Sequence, residues 1–105
     1  KSVPGIPTIL IALPMDIDES TNILNACSQL HSLVNTKISI LVKHHPAHES
    51  HTFAKRVPVF RNDAFTPTND SMFDLLGFIS LLISSASSVC VEAASLGIPV
   101  AIHGN

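Results

Sequence analysis

Four segments of this chain are short, apolar and rich in β-branched residues, without the strict alternation of a strand that has one wet face. They are "TILIAL" (8–13), "KISILV" (37–42), "ISLLIS" (79–84) and "IPVAIH" (98–103). Such runs suit strands buried on both sides, which is the situation of a parallel sheet covered by helices. The segments between them support this. "TNILNACSQLHSLVN" places Ile23, Leu24, Ala26, Cys27, Leu30, Leu33 and Val34 at helical spacing, with Asp18, Glu19 or Ser20 available as N-cap. "AHESHTFAKR" and "SMFDLLGF" read as short helices. "SSVCVEAASL" reads as a helix closed by Gly97 in the left-handed position, with Pro99 unable to continue it. "VPVF" (57–60) is expected to be a short third strand, at an edge because of its proline, and "RNDAFTPTND" a polar loop. Strands alternating with helices through short connections predict the α/β class: a Rossmann-like, doubly wound parallel sheet of about five strands in the order 3-2-1-4-5.

The 105 residues fit one domain, and 46% hydrophobic against 13% charged residues is enough to pack a core at this length. The mean hydropathy of +0.38 is high for a small soluble domain and suggests a face covered by something else. The chain starts at "KSVPG" and stops at "AIHGN", directly after a strand, where a doubly wound domain normally adds another helix. We therefore expect a single domain over 1–105, cut from a longer protein. A net charge of −2 offers no basic field for nucleic acid and no polybasic membrane patch. The longest apolar run, "LLGFISLLISS", is too short for a transmembrane segment. Cys27 and Cys90 fall in predicted helices among apolar neighbours and read as reduced core thiols of a cytoplasmic protein.

In a doubly wound sheet, ligands bind beyond the carboxyl ends of the strands where the strand order reverses. With the order 3-2-1-4-5, the loops after the first, second and fourth strands meet there. They carry "PMDIDES", "KHHPAH" and "SASSV". The last places Ser84, Ser85, Ser87 and Ser88 between a strand and a helix, where unpaired N–H groups and about half a positive charge favour an anion. Plain N-capping needs only one of these serines. Glu92 lies one turn beyond Ser88 and can accept from ribose hydroxyls, or can simply be an exposed helix residue. In "KHHP", Pro46 fixes the exit of the strand, and Lys43 with His44 or His45 points donors across the first strand. A solvated lysine and a packed histidine are the plain alternatives. The first loop is acidic and lacks glycine, so donor phosphates are not expected against it.

"LVKHHP", followed some forty residues later by "LLISSASSVCVEAASLGIPV", resembles the carboxyl-terminal nucleotide-binding half of GT-B fold glycosyltransferases. The likeness is to bacterial surface-polysaccharide enzymes with an HP motif and a later serine-pair motif, a group including sialyltransferases and wall-polymer glycerophosphotransferases. It runs from about Thr8 onward, although Ser80 stands where relatives often carry an acidic residue. The resemblance implies a nucleotide-sugar donor (CMP-, CDP- or UDP-activated), with Lys43, His45, Pro46, Ser87 and Ser88 at its phosphate. Glu92 is added from the helix-face reading above. It implies inverting sugar transfer in an interdomain cleft, with His45 as general acid toward the leaving phosphate, and no cofactor or metal. The acceptor and its base would come from a missing N-terminal domain. This half alone is then expected to bind but not turn over, in the cytoplasm, with any approach to the inner membrane face made through the missing portion.

Other readings compete. His44, His48, Glu49 and His51 are dense enough to suggest a zinc site, but Pro46 interrupts the helix that a ligand pair would need. A serine hydrolase lacks its G-x-S-x-G elbow. A non-hydrolysing sugar-nucleotide epimerase shares the fold and the helix-end site. A non-catalytic Rossmann-like binding or interaction domain would keep the architecture without the chemistry.

Overall fold

The computed structural model describes residues 6–28, 38–46, 48–62, 65–84 and 93–102. Among them, β1 (Thr8–Ala12) is followed by α1 (Ile17–Cys27), β2 (Ser39–Lys43) and α2 (Ser50–Arg56). A 3-10 turn of helix (Pro58–Arg61), β3 (Thr66–Pro67), α3 (Met72–Leu76), β4 (Leu81–Ser84) and β5 (Val100–Ile102) complete the order. All strand pairs are parallel, and the five-stranded sheet has the order β3-β2-β1-β4-β5.

Every residue of β1 is buried, as its unbroken apolar run requires. Ile9, Ile11 and Leu13 face one side with Ile40, Val42 and Ile83, and α1 and α2 cover them through Ile23, Leu24, Cys27 and Phe53. Leu10, Ala12 and Leu82 face the other side, beneath Leu75 and Leu76 of α3, Ile79 and Ala93. Helices thus sit on both faces, which makes the fold a Rossmann-like α/β fold.

The third strand differs from the sequence expectation. "VPVF" is not a strand: Val57 and Phe60 are buried while Pro58 between them is exposed. That is an i, i+3 spacing, and a proline at the first position suits a 3-10 turn. The edge strand is instead Thr66–Pro67, inside the segment read as a loop. Pro67 is tolerated there because an edge strand need not donate on its outer side. The first helix also begins earlier than expected. Asp16 caps it, its side chain accepting from the Glu19 amide at 3.1 Å. Asp18 and Glu19 therefore lie in the first turn, where their charge favours the helix dipole. Ser20 is buried, and its hydroxyl donates to the Pro14 carbonyl at 3.0 Å.

Candidate functional site

Register builds the site. Ala12, the last residue of β1, pairs with Lys43 on one side and Ser84 on the other. Paired residues on parallel strands share a face, so Lys43, Ala12 and Ser84 form a row across the carboxyl rim. Two strand spacings separate the outer pair, about 10 Å between backbones. Ala12 between them contributes only a methyl group. The segment with the histidines and the segment leading to the serines thus leave the same end of the sheet, on either side of one strand.

On the β2 side, the His48 amide donates to the His45 carbonyl at 3.0 Å. This closes a turn with Pro46 at its second position, where a fixed φ is favourable. Pro46 is exposed and His45 half-buried. The Lys43 ammonium donates to the Asp70 carbonyl at 2.9 Å and so ties the end of β2 to the segment entering α3. His44 turns to the opposite face. Its ring stacks on Phe53 with centroids 5.4 Å apart and meets Phe60 edge-on at 6.2 Å. Its Nδ1 lies 3.0 Å from the His45 carbonyl, so that nitrogen carries the proton. The ring is packed as a core aromatic would be. His48 reaches the other neighbouring loop, its Nε2 2.6 Å from the Met15 carbonyl.

Glu49 caps α2. Its carboxylate accepts from the amides of Thr52 at 2.8 Å and His51 at 3.1 Å, and from the Thr52 hydroxyl at 3.0 Å. These bonds, first the Thr52 amide and then the His51 amide, hold its carboxyl below the ordinary glutamate range. Among the described residues no three His, Cys, Asp or Glu side chains converge as a metal centre would need. Cys27 is a free, buried thiol, and burial pushes its pKa up. Cys90 lies outside the described residues, as do Ser85, Ser87, Ser88 and Glu92. Of the expected site, Lys43, His45 and Pro46 are therefore gathered at the rim, and Ser84 marks where the second segment begins. Sequence reasoning passed over His48 and Phe53 as parts of the rim. The partners of His48 are a carbonyl 33 positions away and a buried ring, which no local pattern encodes.

In doubly wound α/β folds of this kind ligands bind beyond the carboxyl ends of the strands, the end at which Lys43 and Ser84 lie level. No protein-family model matches the chain, and no curated protein does. Among solved structures it is similar to Thermosulfurimonas dismutans KpsC, a beta Kdo 2,7 transferase, with a TM-score of 0.60 and 18% identity. The match covers 95% of this chain and 34% of that one, so the chain spans about a third of the length of that protein. At this identity the likeness is one of fold alone. No described helix is long and apolar enough to cross a membrane.

Proposed function

We propose that this chain is the donor-binding half of a glycosyltransferase acting in bacterial surface-polysaccharide biosynthesis. It would hold the phosphate of a CMP-, CDP- or UDP-activated sugar at the carboxyl rim, beyond the end of β1. The observation that supports this most directly is the register of Lys43 and Ser84 on the two sides of Ala12. A phosphate beyond the end of β1 would meet Lys43 and His45 from one side, and Ser87, Ser88 and the helix amides expected after them from the other. Glu92 would accept from the ribose. The acceptor and its base belong to a second domain, in the cytoplasm.

The chemistry follows from the charges. The bond between the anomeric carbon and the donor phosphate oxygen breaks, and its electrons stay on the phosphate. The acceptor hydroxyl forms the new bond and loses its proton to the base of the second domain. His45 supplies a proton to the departing phosphate oxygen, and the fixed donors around it stabilise the growing negative charge. Neither role requires a metal.

Titration of the isotopically labelled chain with CMP, CDP and UDP tests this. Binding is expected to move signals at His45 and in the serine segment. His45→Ala and Ser88→Ala should each weaken it about ten- to hundredfold, the worth of one hydrogen bond to a charged group, with unfolding midpoints retained. Undiminished binding by both variants would refute the site.

A further inference from the structure

We propose that His48 is a positioning residue: its ring fastens the loop after β2 to the loop after β1, and so sets where His45 presents its imidazole. The consequence for nucleotide rests on the function proposed above, whereas the fastening itself does not. A carbonyl oxygen only accepts, so the 2.6 Å contact with Met15 requires the proton on His48 Nε2. The ring is seated as well as bonded. Its centroid lies 5.5 Å from that of Phe53, at 37°. Phe53 is fully buried, stacks on His44 and packs edge-on against Phe60 at 4.9 Å. One buried phenyl thus carries both histidines that flank His45.

The other end is equally fixed. The Leu13 amide donates to the Lys43 carbonyl at 2.9 Å, and the buried Ser20 hydroxyl holds Pro14. The Met15 carbonyl is therefore a set point next to the cap of α1. Because the His48 amide also closes the turn on the His45 carbonyl, Met15, His48 and His45 form one continuous linkage between two strand ends. Met15 contributes through its backbone while its side chain is 59% exposed.

Three variants separate packing from the bond. His48→Phe keeps an aromatic ring against Phe53 but cannot donate, His48→Ala removes both, and His48→Gln keeps a donor of similar reach. In the wild type, nitrogen-detected NMR should find His48 protonated on Nε2. In the Ala and Phe variants the Met15 carbonyl and Asp16 amide shifts should move, exchange of the residue-48 amide should quicken, and the Gln variant should return toward wild type. Titrated with CMP, CDP and UDP, the Ala and Phe variants should bind about three- to tenfold more weakly, as one lost hydrogen bond predicts. The Gln variant should fall within about twofold of wild type by the same reckoning. His48→Phe with wild-type shifts, exchange and affinity overturns the proposal. If the wild type binds none of the three nucleotides, the functional reading fails instead. The fastening is then decided by shifts and exchange: altered in Phe and restored in Gln upholds it, unaltered in Phe overturns it.

Discussion

Glu49 shows how one side chain can be misread from its neighbours. Within "HPAHESH" it looks like a metal ligand among histidines, and glutamate is not a favoured N-cap residue. In the fold its carboxylate takes the first amides of α2. Those bonds favour the ionised form, so the native state binds fewer protons than the unfolded chain in mild acid. The resulting stability is fully present above the unfolded pKa of about 4.3. It is lost as the pH falls through the lower native value. The Thr52 amide should therefore shift and lose protection in acid, as a pH series of amide spectra would record, and Glu49→Gln should flatten the profile. Equal acid sensitivity in that variant would remove the carboxylate from the explanation. The same lesson holds for His44. Its identity suggests chemistry, but strand alternation sends it to the Phe53 face while Lys43 goes to the other.

At the level of elements, α3 offers the sharpest contrast between neighbours. Leu75 is fully buried against the second core cluster, whereas Phe73, two positions earlier, is 83% exposed. Leu75→Ala should cost about 2–5 kcal/mol in urea unfolding. Phe73→Ser should stay within about 0.5 kcal/mol, the range of an ordinary surface change. Comparable losses in both would mean that α3 packs the other way round. Its cap, Ser71, accepts from the Asp74 amide at 3.2 Å. The element pattern was largely legible because apolar runs and helical spacing leave strong signals. The turn that ends the helical residues 93–95 was legible too. Gly97 has a φ of +78°, and the amides of Gly97 and Ile98 return to the Ala94 and Ala93 carbonyls. The third strand was not legible, because two residues cannot show a period. Val57 and Phe60 are apolar enough to imitate a strand when their i, i+3 spacing is overlooked.

For the molecule as a whole, the decisive feature is that β1 lies at the centre and bonds to strands before and after the crossover. The strand order could be anticipated, since few arrangements bury two-sided strands under helices without awkward connections. That order brings the ends of β2 and β4 to either side of β1, and the register places them level: Lys43 and Ser84 both pair with Ala12. What remained hidden was how the rim is secured, because carbonyls of Met15 and Asp70 serve as the anchors and a carbonyl has no sequence identity. Ala12 then becomes the place to test the assembled site. It is 7% exposed, belongs to the second core cluster, and lies between Lys43 and Ser84 in the row. Ala12→Val adds two methyl groups there without opposing strand geometry. Overpacking should cost about 1–3 kcal/mol in urea unfolding. A phosphate seated just beyond the row should be disturbed as well, so affinity for CMP, CDP or UDP should fall even under conditions where the variant is fully folded. Affinity unchanged in the folded variant would place any bound phosphate elsewhere than over β1.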